Sequence, residues 1–232
     1  MRTAPVSLLA ALSALGAVLL ATTGSKADSP SGCEAWEVEY ELSAEVQLSD
    51  TLMGAGDGVH RIGPGKVVLR FDDHGGRPAG HAVMLSYEMQ DGFTVESSAL
   101  FWRTMVTNAT RTTATPAACG VVAAGELSAQ TLHWTSAIHG VRTDGMVTCA
   151  GLFCGKFGAP PEGTSEVHTA AHEVLFEPFL LGEELKTFSM AYSVVSKMES
   201  PRQTSRIALE GREVRRACVA VAPCNPGSAP QE

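Results

Sequence analysis

The sequence predicts an all-β fold: an antiparallel sandwich or barrel-like meander of roughly nine to twelve strands in a single domain. Two observations predict it, and a third bears on its cross-linking. Apolar and polar residues alternate with a period of two along several segments. Turn-forming clusters rich in Gly, Pro and Asp separate those segments. Six cysteines follow an N-terminal stretch built like an export signal, so cross-links can staple a sheet-rich domain.

The N-terminal stretch comes first. Arg2 supplies a positive charge, residues 6–22 are almost wholly apolar, and Ser25-Lys26-Ala27 places small residues at the −3 and −1 positions of a cleavage site. This is the order of parts in a secretory signal peptide, here residues 1–27. A transmembrane anchor needs about 20 consecutive apolar residues; this run is shorter and is interrupted by Ser7 and Ser13. A lipoprotein anchor needs a cysteine at the cleavage point, but Cys33 lies well beyond the run, behind Pro30-Ser31-Gly32. The expectation is a secreted or periplasmic chain with no transmembrane helix after cleavage.

Cleavage after Ala27 leaves 232 − 27 = 205 residues. Arg2 and Lys26 leave with the signal, so 15 basic residues face 25 acidic ones, a formal net charge of −10. An acidic surface repels phosphate backbones, which argues against nucleic acid as a partner. Arg212, Arg215 and Arg216 form the one basic cluster, read as the exposed face of a strand or turn.

All six cysteines, Cys33, Cys119, Cys149, Cys154, Cys218 and Cys224, lie after the cleavage site. An even count in an exported chain points to disulfides, with 15 possible connectivities. Cys149 and Cys154 are spaced for a local bridge. Cys218 and Cys224 are spaced for another, or Cys33 ties the N-terminus to one of that pair. The C-x4-C and C-x5-C spacings fit zinc knuckles poorly.

The first strand carries the clearest signal. Trp36, Val38, Tyr40, Leu42, Ala44, Val46 and Leu48 are apolar, and Glu37, Glu39, Glu41, Ser43, Glu45 and Gln47 separate them. Side chains alternate faces along a strand, so one side is apolar and the other wet. Thirteen residues at about 3.3 Å each make a long strand, which predicts a bend or bulge. Further alternating runs follow at Val67–Phe71, Val83–Met89, Phe93–Val95, Leu132–Trp134 and Phe188–Val194, with shorter ones at Arg206–Glu210 and Ala217–Val221. In the run Val83, Leu85, Tyr87 and Met89, one face is assigned to all four.

Turn clusters lie between these runs: residues 54–58, Gly63-Pro64-Gly65, His74-Gly75-Gly76-Arg77-Pro78, Gln90-Asp91-Gly92 and residues 158–163. Asp-Gly tolerates positive φ, so Gln90-Asp91-Gly92 reads as a tight hairpin. Helix competes only between Val167 and Leu185. The domain is expected to span 28–224, with a disordered tail at 225–232.

The sharpest candidates for a site are His168 and His172, four residues apart on one face of a strand or helix, with Glu166 and Glu173 beside them. Two imidazoles so placed can share Zn2+ or Cu2+. The H-E-x-x-H pattern is absent, and no third ligand is named by the sequence. Asp72-Asp73-His74 reads as a polar strand end. Asp50 and Asp57 are too few acids for a calcium loop. Gly54-Ala55-Gly56 opens no helix as a dinucleotide fingerprint would. No Gly-x-Ser-x-Gly occurs, Ser196-Lys197 lacks the Ser-x-x-Lys spacing, and Asn108-Ala109-Thr110 matches a glycosylation sequon. Trp36, Trp102 and Trp134 read as core rather than as a ligand platform.

No cofactor is implied. The reading is an exported, non-enzymatic binding or structural domain of the cell envelope or exterior. One alternative is a metal-dependent or acid–base enzyme using His168 and His172. The other is a carrier holding a small apolar ligand in a barrel cavity.

Overall fold

The computed structural model describes residues 33–49, 58–99, 102–116, 118–156, 159–196 and 203–221. The expected signal peptide, the residue 225–232 tail and the loop holding Asp50 and Asp57 lie outside them. The described residues form twelve strands: β1 (Ala35–Ser49), β2 (Gly58–Asp73), β3 (Pro78–Ala99), β4 (Trp102–Ala114), β5 (Ala123–Ser128), β6 (Thr131–Trp134), β7 (Ile138–Gly151), β8 (Gly163–His168), β9 (His172–Val174), β10 (Phe179–Leu181), β11 (Thr187–Ser196) and β12 (Gln203–Val219). Short 3-10 turns occur at Ala118–Gly120 and Glu183–Leu185. Among the described residues no helix is long and apolar enough to cross a membrane.

All twelve strands belong to one antiparallel sheet. Eight close into a barrel in the order β2-β1-β12-β11-β10-β6-β5-β3, and the β2–β3 ladder completes the circle. The other four hang from the second half of β3: β4 pairs with β3, β7 with β4, and both β8 and β9 with β7. β3 therefore serves two structures. Its residues Gly80–Met84 pair with β5, and Tyr87–Ala99 pair with β4.

The alternation in β1 has the predicted outcome. Val38, Tyr40, Leu42, Ala44, Val46 and Leu48 are buried. The expected irregularities are present too: register shifts fall between Glu39 and Tyr40 against β12, and between Leu42 and Ala44 against β2. The side chains of Tyr40, Phe71, Phe179, Phe188, Leu69 and Met84 meet in the core. Phe179 and Phe188 stack with centroids 4.5 Å apart, and Tyr40 meets Phe188 edge-on at 5.1 Å. Such aromatic pairs add about 0.5–1.5 kcal/mol each beyond the burial of their area.

Four expectations need correction. Gln90-Asp91-Gly92 is not a hairpin. β3 runs straight through it, because β4 pairs with every residue from Tyr87 to Ala99 and the ladder outweighs the local turn preference. Gly63-Pro64-Gly65 likewise lies inside β2, where it forms the irregularity opposite Ser43. The single face assigned to Val83, Leu85, Tyr87 and Met89 is broken: Val68 pairs with Ser86 and Leu69 with Met84, leaving Leu85 as an extra residue. A bulge shifts the alternation by one, so Ala82 and Met84 point inward before it and Met89 after it. Arg206–Glu210 and Ala217–Val221 are not two strands; Gln203–Val219 is one.

The cysteines staple strand ends. Cys33 bonds Cys218, joining the start of β1 to the end of β12, so the local Cys218–Cys224 alternative does not occur. Cys149 bonds Cys154, the local bridge the spacing suggests. Cys119 is disulfide-bonded as well.

Candidate binding site on the barrel wall

The predicted histidines lie at the outer edge of β7. His168 ends β8 and His172 begins β9, so the strand breaks between them and the shared-face geometry does not hold. His168 lies opposite Asp144 and His172 opposite Val141. The His172 side chain is outside the described atoms. His168 Nδ1 lies 2.9 Å from Asp144 Oδ1, and its Nε2 lies 3.4 Å from Glu166 Oε2. The hydrogen bond to Asp144, then the one to Glu166, raises its pKa above 6.5. Glu173 turns to His139 on β7 at 2.9 Å. The two carboxylates engage opposite nitrogens of one ring, which favours an imidazolium bridging strands over ligands converging on a point. Among the described residues no group of three or more His, Cys, Asp or Glu could hold a metal ion.

Other residues resolve into structural roles. Asp73 Oδ1 accepts from the Trp36 indole at 2.6 Å and from the Gly76 amide at 2.9 Å, closing the β2–β3 turn. Asn108 sits mid-strand in β4 and its sequon partner Thr110 is buried. Asp91, opposite Thr110, accepts from the Thr112 hydroxyl at 2.9 Å, and burial raises its pKa. Trp134 packs edge-on against Phe179 with centroids 5.1 Å apart, as a core residue does, but Trp102, expected in the core, is exposed at the start of β4.

A groove of about 610 Å3 crosses the outside of the barrel over β1, β12, β11 and β10. The ladder dictates its layout. Leu42, Gly211, Phe188 and Leu181 stand in one row across the four strands and face the core. Ser43, Glu210, Ser189 and Leu180 form the outward row on one side of it. Glu41, Arg212 and Thr187 form the outward row on the other. All seven outward side chains are exposed.

The charges in this groove differ from those around it. Of the outward glutamates of β1, Glu37 holds Arg70 at 2.7 Å, Glu39 holds Lys66 at 2.8 Å and Glu45 holds Arg61 at 3.2 Å, all on β2. On β12, Arg216 holds Glu213 at 2.6 Å. Glu41, Glu210 and Arg212 have no ion pair among the described residues, although Glu41 and Arg212 face each other across the β1–β12 ladder. The groove thus presents two carboxylates, one guanidinium and the hydroxyls of Ser43, Thr187 and Ser189, with Leu180 as an exposed apolar side.

In the sequence Arg212 stands out only as one of a basic cluster, and Glu41, Ser43, Thr187, Ser189 and Glu210 belong to no motif. These are the wet halves of alternating strands, and nothing in a single strand shows which wet residues become neighbours. No family model, curated protein or solved structure matches this chain.

Proposed function

We propose that the chain is an exported, non-enzymatic binding domain of the cell envelope or exterior, and that the groove over β1, β12, β11 and β10 is its binding site. One observation carries the reading. The groove gathers charges of both signs that have no ion pair among the described residues, while comparable groups nearby are paired. A concave site with a few convergent polar groups is the usual form of a small-molecule site. Aromatic and aliphatic side chains packed into the barrel favour an outer site over an internal carrier chamber. Export is supported by the signal-like N-terminus and by disulfide-bonded cysteines.

The test has two arms. Expressed with its N-terminus intact, the chain is expected outside the cytoplasm, beginning at Asp28 by mass spectrometry. Uniformly 15N-labelled protein titrated with a panel of amino acids, dipeptides, sugars and nucleotides is expected to shift the Gly211 and Gly182 amides saturably. A panel that moves neither amide defeats the groove as a site.

A further inference from the structure

We infer that the groove takes a free cationic amino acid, lysine or arginine in chemistry; the inference rests on the groove being the binding site. Arg212 stands between two carboxylates. Glu41 faces it across the ladder and Glu210 lies two residues back on its own strand. Opposed side chains start about 5 Å apart and those at i, i+2 about 7 Å apart. The order of charge is therefore negative, positive, negative within the length of one small molecule.

That order selects among ligands. A lone anion on Arg212 meets repulsion from both glutamates. A lone cation on either glutamate meets Arg212. A ligand with one anion and two cations satisfies all three groups. A cationic amino acid has that pattern: its α-carboxylate meets Arg212, its α-ammonium one glutamate, and its side-chain cation the other. Leu180, which is 59 % exposed, offers an apolar surface to the aliphatic stem. Thr187 and Ser189 offer hydroxyls that bond either the carboxylate or an ammonium.

The test uses the mature, disulfide-bonded chain in calorimetric and NMR titrations with L-lysine, cadaverine, Nα-acetyl-L-lysine and L-norleucine at fixed ionic strength. Each comparison compound lacks one of the three charges. The expected result is saturable binding of L-lysine, about tenfold tighter than any of the other three. R212Q is expected to weaken L-lysine by about tenfold and to tighten cadaverine, from which it removes a repelling charge; E210Q is expected to weaken both. Cadaverine binding as tightly as lysine would show attraction to an acidic surface and overturn the inference, as would unsaturable binding. If a sugar or dipeptide shifts the Gly211 and Gly182 amides and lysine does not, the ligand class is wrong but the groove stands. If nothing shifts them, both fall.

Discussion

Phe188 packs its ring over the α-carbon of Gly211, and a Cβ at that position would overlap the ring. The floor of the groove and the barrel core are thus one contact seen from two sides. Gly211→Ala is expected to destabilise the fold by about 1–3 kcal/mol through overpacking. For a chain of this size that lowers Tm by about 2–4 °C per kcal/mol. Calorimetry of the variant against the parent checks it, and an unchanged Tm refutes the overlap.

Tyr40 donates its hydroxyl to the buried Leu185 carbonyl at 2.8 Å. Tyr40→Phe leaves that carbonyl unsatisfied and is expected to cost about 1–3 kcal/mol in denaturant melts. Burial raises the phenol's pKa above its ordinary 10.0. The folded state therefore holds the proton more tightly than the unfolded state. This contribution is fully present below pH 10 and is lost as the pH rises through the folded value. Tyrosinate absorbance is expected to appear in two steps, with the last step coincident with unfolding and absent in Tyr40→Phe.

Burial disfavours the charged form of Asp91, with the Thr112 hydroxyl opposing the shift. Its pKa is raised above the usual 3.8, so its favourable contribution exists at low pH and is lost as the pH climbs through the folded value. At pH 7 the carboxylate is a burden. Asp91→Asn keeps an acceptor for Thr112 and is expected to be more stable than the parent at pH 7, with the advantage fading toward pH 3. Urea melts at the two pH values decide it.

His168 carries the opposite charge with the same sign of shift. Asp144 and Glu166 raise its pKa, so the imidazolium's tie between β7 and β8 is complete below pH 6.5 and is lost as the pH rises through the higher folded value. NMR titration of the His168 ring is expected to give a midpoint above 6.5 that falls in Asp144→Asn. Amide exchange in β8 is expected to quicken as the pH passes that midpoint, beyond the intrinsic rate increase.

The two placed disulfides close loops of very different size. Cys33–Cys218 spans 185 residues in sequence and Cys149–Cys154 spans 5. Loop-closure entropy predicts that losing the first costs about 5 kcal/mol and the second about 2 kcal/mol. Guanidinium melts of the double variants Cys33→Ser/Cys218→Ser and Cys149→Ser/Cys154→Ser are expected to rank in that order. The reverse order would show the long loop already constrained by residual structure.

Much of the fold was legible because burial imposes a period of two. The thirteen residues from Trp36 to Leu48 reveal their inner face without any partner. What failed were places where a distant ladder overrules a local preference. Asp91-Gly92 has hairpin chemistry, yet β4 keeps it extended. Leu85 is an ordinary apolar residue, and only the β2 register marks it as a bulge. The site was less legible for the same reason. Glu41 becomes a neighbour of Arg212 through pairing across 170 intervening positions, and strand partners are not encoded in any one strand. The local Cys149–Cys154 bridge, by contrast, needed only spacing.

Leu85 has a consequence beyond its own position. Among the described residues β3 alone runs from the barrel into the four added strands, with ladders on β5 and β4. The supernumerary residue works as a parity switch between these regions. Deleting it would transpose inside and outside along the rest of β3: Met89 would turn to water, and Thr94 and Glu96 would turn inward. A deletion of one residue in the barrel wall would thus be read out as an inversion of a surface several residues away.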